Sequence, residues 1–217
     1  MSTSQITLYN GALRVLGQPK LSTLSDDVEH RYLLDGVWDE NAREYVLEQG
    51  NWNFATRSIK SEYDSSVSEP DFGFQKAFSK PTDWLKTVQL ASDEYFQCPL
   101  PDDGFSDEQG YWWSDLETLY IRYISNDSSY GYDLSLWPQA FCRYVECYLA
   151  LQIAPRVLQT STEVEKIEKK LKVLHIDALS KDALNEGTKR WPGGSWTRAR
   201  RSKTSFGDMG SRRRLTG

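Results

Sequence analysis

Residues 119–125 read LYIRYIS. Leu119, Ile121 and Tyr123 fall on one side of a two-residue repeat, and Tyr120, Arg122 and Ile124 on the other. Alternation in β-branched and aromatic residues is the period of a strand, not of a helix. The same texture extends upstream. NWNFATRSI (51–59) opens it, Phe72, Phe74 and Phe78 share one parity, and WLKTVQLAS (84–92) follows a Pro81-Thr82-Asp83 turn. Clusters of Gly, Pro, Asp and Ser punctuate these runs. The expectation is four to six short antiparallel strands between about 52 and 125, with the acidic stretch PLPDDGFSDEQG (99–110) as a loop between two of them.

On both sides of this block the period changes to that of a helix. Over 4–16, Ile6, Tyr9, Leu13 and Leu16 recur at three and four; Thr3 or Ser4 offers a cap, and Gly17 with Pro19 ends the run. A longer helix is expected over 26–49, with a stripe of Leu34, Val37, Trp38, Tyr45 and Val46, acids Asp26, Asp27 and Glu29 in its first turn, and Gly50 as its stop. From Pro138, Ala140, Phe141, Tyr144, Val145, Tyr148, Leu149 and Leu151 cover nearly the whole circumference, which predicts a buried helix that Pro155 kinks or ends. The last, 163–186, carries Val164, Ile167, Leu171, Leu174 and Ala178, with Thr162 and Glu165 as a capping box and Gly187 as a stop. The fold class is therefore α+β. A bundle of N-terminal (1–50) and C-terminal (131–187) helices is interrupted by a small antiparallel β module (51–130) and followed by an extended arm (188–217).

That arm differs in kind. It carries nine basic side chains against Asp208 alone, so its net charge is +8; the whole chain is at −5, which leaves −13 for the remainder. An acidic body with a basic end implies a partner. Trp191, Trp196 and Phe206 lie among those cations, and Trp and Arg are the residues enriched where binding energy concentrates.

Chemistry is sparse. The only histidines, His30 and His175, match no metal-ligand spacing, so packed or surface roles are expected. No nucleophile elbow, phosphate loop or dinucleotide fingerprint occurs. Asp102, Asp103, Asp107 and Glu108 cluster without the spacing of a calcium loop. Cys98, Cys142 and Cys147 fit no zinc pattern and read as reduced thiols of a protein made in a cytosol. No apolar run reaches the ~18 residues of a membrane span, and the opening MSTSQITLYN lacks the basic and apolar regions of a signal peptide. Neither catalysis nor a cofactor is expected.

Three stretches carry a resemblance: the LG-x-P turn and following STL-x-D at 16–26, the run Gly50, Trp52, Phe54 and Ala55, and the Pro81-Thr82-Asp83-Trp84-Leu85 turn. In their order and spacing, over roughly 4–200, the chain resembles the head-to-tail adaptors of tailed phages, the tail tubular protein A and head-completion or DNA-stabilisation group. The resemblance implies a structural virion protein. Its subunits would form a ring, typically dodecameric, at the head-tail junction, after assembly in the host cytoplasm. The ring would sit beneath the portal, extend the DNA channel and carry the next tail or nozzle protein, while double-stranded DNA passes without sequence-specific binding. The acidic body suits that passage, because a lumen that neutralised phosphates would hold the genome through counterion release. Some wider relatives degrade peptidoglycan; no motif here carries that over.

The same resemblance makes 188–217 a portal-docking arm. Trp191, Trp196 and Phe206 would be its apolar anchors, and Arg198, Arg200, Arg201, Arg212, Arg213 and Arg214 would pair with portal carboxylates. Two other readings of the arm remain: nucleic acid, with phosphates for its cations and bases for its aromatics, and a solvated end with no partner, the default for a terminus, against which Trp191, Trp196 and Phe206 count.

Overall fold

The computed structural model describes residues 3–185, apart from 69, 71, 102, 109 and 159. Helix α1 spans Gln5–Val15 and buries Leu8, Tyr9, Ala12 and Leu13, so its core face is rotated from the expected one and Ile6 lies at the margin. Ser4 sits at the cap position, but its hydroxyl bonds Thr7 Oγ1 (2.8 Å) instead of a backbone N–H. The far end closes as expected. Gly17 takes φ +69°, and the amides of Gly17 and Gln18 donate back to the carbonyls of Arg14 and Leu13, the paired bonds of a left-handed helix stop.

The long helix expected over 26–49 is later and broken. Helix α2 covers Glu29–Val37, a π turn Trp38–Ala42, and α3 Arg43–Glu48. The late start has a local cause. The Asp26 carboxylate accepts from the amides of Ser22 and Thr23 and from the Thr23 hydroxyl, which folds 22–26 into a turn of its own. Only Glu29 remains in the first helical turn. The π turn also has a reason. The buried residues Leu34, Trp38, Ala42 and Val46 step by four, and on an α-helix such a stripe drifts about 40° per step. A wider turn returns it to one face. Tyr45, expected in the stripe, is exposed and stacks on Tyr148 at 5.1 Å.

Six strands follow among the described residues, in two three-stranded antiparallel sheets. One has the order β1 (Thr56–Glu62), β6 (Thr118–Ser125), β3 (Trp84–Ala91). The other runs β2 (Lys76–Ser79), β5 (Tyr111–Ser114), β4 (Ser106–Glu108). The register pairs Ile59 with Ile121 across β1 and β6, and Phe78 with Trp112 across β2 and β5. Two expectations change. Phe72 and Phe74 precede β2, and Phe72 stands in solvent. The acidic stretch 99–110 is not all loop, because β4 pairs Asp107 with Trp112; the Asp107 carboxylate also pairs with Lys80.

Helix α4 (Gln139–Val157) is central and packs on α1, α2 and α5. Its buried residues lie all around it, as expected, and it runs two residues past Pro155. Helix α5 (Ser161–Asn185) begins before Thr162, so the predicted capping box does not form; the Thr160 carbonyl accepts from the Glu163 amide instead.

Sheet β1–β6–β3 lies between two cores. Ile124, Leu85 and Val88 belong to the bundle core; Leu119, Ile121 and Tyr123 meet Phe78, Leu90 and Trp112 in the core of the β module. The alternation of LYIRYIS decides this, since it sends successive side chains to opposite faces.

Candidate interaction surface

Two structural nodes account for two of the three stretches that carry the resemblance. The first is the entry to the β module. Trp52 is fully buried, meets Phe141 edge-on at 4.7 Å and donates from Nε1 to the Val46 carbonyl. Its neighbour Asn53 donates from its amide and from Nδ2 to Asp182 of α5, both at 2.9 Å. Gly50 is required by close approach, because a Cβ there would lie 2.7 Å from the Trp52 ring.

The second node is Asp83 in the Pro-Thr-Asp-Trp turn. Its carboxylate accepts from Arg57 Nη1 at 2.9 Å, from Tyr123 OH at 3.0 Å and from the Ser125 hydroxyl. Burial opposes the charge, but the bonds from Ser125, Arg57 and Tyr123 outweigh it and hold the pKa below the ordinary carboxylate value. Burial, then the Asp83 bond, pushes the Tyr123 phenol up. The node clamps β1, β3 and β6 together.

Outward-facing features lie on the bundle. Glu146 of α4 is only 6% exposed and rests over Gly11 of α1, where a Cβ would come within 2.1 Å of its carboxyl carbon. Arg14 reaches its Oε2 at 3.1 Å from the solvent side. Burial raises the Glu146 pKa, and Arg14, Arg143 and Lys170 oppose that rise. Open grooves of about 750 and 540 Å³ adjoin this pair. A third, of about 490 Å³, follows along α4 past Arg143 and Lys181. Arg14, Lys20, Arg143, Lys170 and Lys181 line these grooves against the one carboxylate Glu146, so the acidic body carries a basic flank. The sequence held no local sign of it, because its cations come from α1, the loop after it, α4 and α5.

Helix α5 offers the other feature. Its inner stripe is as expected: Ile167 and Ala178 are buried, and Val164, Leu171 and Leu174 pack on the bundle core. The opposite side is also apolar. Val173 is 66% exposed, Ile176 64% and Leu184 81%, with Ser180 between them at helical spacing. The charged residues of this helix sit beside the apolar side chains, in pairs such as Lys172–Glu168 and Lys181–Asp177.

The histidines are packed. His175 stacks on Tyr144 at 4.9 Å, and Nδ1 of His30 and Nε2 of His175 are buried without a hydrogen-bond partner. Cys142 and Cys147 are buried free thiols, and Cys98 is exposed. Among the described residues no group of three His, Cys, Asp or Glu could hold a metal ion, and no helix is long and apolar enough to cross a membrane. The anchors named from the sequence, Trp191, Trp196, Arg198, Arg200, Arg201, Phe206 and Arg212 to Arg214, lie outside the described residues.

No protein-family model matches this chain, and no curated protein matches it.

Proposed function

We propose that the chain is one subunit of a head-to-tail adaptor ring in a tailed phage. In that role it joins the portal to the tail, continues the DNA channel and helps retain packaged DNA. The observation that carries this reading is the second apolar face of α5. Val173 and Ile176 point away from the chain's own core, with Leu184 exposed two turns further on, and exposed apolar side chains adjacent on one helix face favour a protein neighbour. The resemblance supports it further, since its motifs are the fastenings of this fold and not a catalytic centre. The partners are further copies of the chain, the portal ring and the next tail or nozzle protein; the place is the virion neck, reached from the host cytoplasm.

Residues 188–217 serve in this reading as the portal-docking arm. Co-sedimentation with portal rings, at low and high salt, compares the full chain with one ending at Gly187. The full chain is expected to pellet with the portal and the shortened chain to stay in solution. Equal binding by both removes the docking role of the arm, and binding by neither removes the adaptor reading.

One observation favours a second reading. The basic flank of Arg14, Lys20, Arg143 and Lys170, together with the basic end, suits nucleic acid. A DNA-binding protein would lose affinity steeply with salt, in proportion to the phosphates neutralised.

A further inference from the structure

We infer that the basic flank of the bundle is a docking trough for an acidic, partly apolar segment of a protein partner. The inference goes beyond the adaptor reading, because it assigns a contact to the folded body and not to residues 188–217.

The three grooves of the flank form one continuous trough. Arg14 and Glu146 line the first and second, Arg143 the second and third, and Gln139 the first and third. Helix α4 supplies the floor. Gln139, Arg143 and Glu146 recur at spacings of four and three, which places them on one face about 10 Å long. Helices α1 and α5 both pack on α4 and bring the other cations. Arg14 comes from α1, Lys170 and Lys181 from α5, and Lys20 from the loop after α1.

Most of these cations have no counter-charge in the chain. Lys20, Arg143 and Lys170 are exposed and make no ion pair among the described residues. Arg14 gives one Nη to Glu146, yet its side chain is 77% exposed, and a guanidinium has five N–H donors. Glu146 is the one carboxylate among the lining residues, and Arg14 already offsets it. An acidic body thus keeps unpaired cations together along one trough, and charge complementarity calls for an anionic occupant.

The neutral part of the lining selects which anion. Val15 and Leu174 line the second groove, and Pro138, Ala140 and Leu184 the third. Leu184 is 81% exposed. A duplex backbone is met by cations and polar donors, and gives such side chains nothing to bury against. Splayed nucleobases stack on aromatic rings, and no aromatic residue lines the trough among the described residues. A protein segment with carboxylates beside an apolar side chain satisfies both parts of the lining. Its carboxylates meet Arg143, Lys170 and the remaining donors of Arg14, bidentately where an arginine allows. Its apolar side chain covers Leu184.

Fluorescence anisotropy on the full chain tests this with labelled probes: a peptide of repeated Glu-Glu-Leu, a peptide of Glu alone, and a short DNA duplex. R143Q/K170Q removes two cations from the trough, and R212Q/R213Q removes two from the basic end as a control of equal charge. The unaltered chain is expected to bind the Glu-Glu-Leu peptide best. R143Q/K170Q should weaken that binding roughly tenfold, the scale of interfacial charge pairs, and R212Q/R213Q should leave it nearly unchanged. Leu184→Gln should weaken the Glu-Glu-Leu peptide and leave the Glu peptide as it was. Arg143, Lys170 and Leu184 are all exposed, so each variant should melt like the unaltered chain. R143K/K170R keeps both charges and should restore binding, which separates lost charge from lost folding. The inference is overturned if the unaltered chain binds neither peptide, or if R143Q/K170Q binds both as the unaltered chain does. A duplex that binds more tightly than either peptide, weakens in R143Q/K170Q and ignores Leu184→Gln overturns it in favour of nucleic acid. Portal co-sedimentation is a separate readout, so the adaptor proposal stands or falls independently.

Discussion

The helical bundle and the β module are stabilised in different ways. The bundle core is a continuous mass of side chains. Leu8, Leu34, Val46, Leu47, Leu149 and Ala150 are fully buried around an aromatic chain in which Trp52, Phe54, Phe141 and Trp137 meet at centroid distances near 5–6 Å. The module core is small: Phe78, Leu90, Trp112, Leu119, Ile121 and Tyr123. Polar fastenings supplement it. Asp83 ties Arg57, Tyr123 and Ser125, and Lys80 both pairs with Asp107 and lies 3.8 Å above the Trp84 ring. Six short strands bury too little apolar surface to be secure by packing alone. The bundle should therefore fail through cavities, and the module through lost charge partners.

That contrast can be broken by substitution. The largest effect is expected from Trp52→Ala, which empties the centre of the bundle and orphans the Val46 carbonyl; about 4 kcal/mol should be lost, read from urea midpoints. Asp83→Ala comes next, at about 2 kcal/mol, because it leaves the buried Tyr123 and Ser125 hydroxyls without their acceptor. If Asp83→Ala costs almost nothing while Phe78→Ala costs as much as Trp52→Ala, the module is held by packing and the contrast collapses. Lys80→Met is expected to cost less, about 1–2 kcal/mol, since its stem still covers Trp84. Its signature is a change in tryptophan emission from Trp84 and Trp112, with the helical circular dichroism signal unmoved.

The smallest effect is a pH dependence of opposite sign in the two regions. Asp83 has a folded pKa below its ordinary value. Its contribution is present above the unfolded value near 3.9 and fades as pH falls through the folded one. Glu146 has a folded pKa above its ordinary value. Its contribution is present below about 4.3 and is lost as pH rises through the raised value. Glu146→Gln should flatten the loss on the rising side and leave the acid-side loss intact. A melting profile in which Glu146→Gln changes nothing between pH 4 and 7 would show that Arg14 fully compensates the buried carboxyl.

Much of the architecture was legible in local pattern. The two-residue alternation of 119–125, the all-round apolarity of α4, the inner stripe of α5 and the glycine stop after α1 each depend on neighbours within a turn or two. The start of α2 was misjudged because Asp26 looks like a first-turn acid until its bonds to Ser22 and Thr23 are seen. Tyr45 was misplaced because a π turn cannot be read from a stripe that tolerates either period. Val173, Ile176 and Leu184 give no clear stripe in the sequence, because Lys and Glu outnumber them on that side of the helix.

By itself, then, the sequence determined which segments are helix and which are strand, the interruption of a bundle by a β module, and the separation of an acidic body from a basic end. These follow from periodicity and composition, which act over short spans of chain. Only the tertiary structure decided that the strands form two sheets, that Asp83 gathers three donors from β1 and β6, that Arg14 closes over Glu146 132 positions away, and that α5 keeps a second apolar face after the first is buried. Each of those depends on which distant surfaces meet, and burial and charge acquire their energies only once that meeting has occurred.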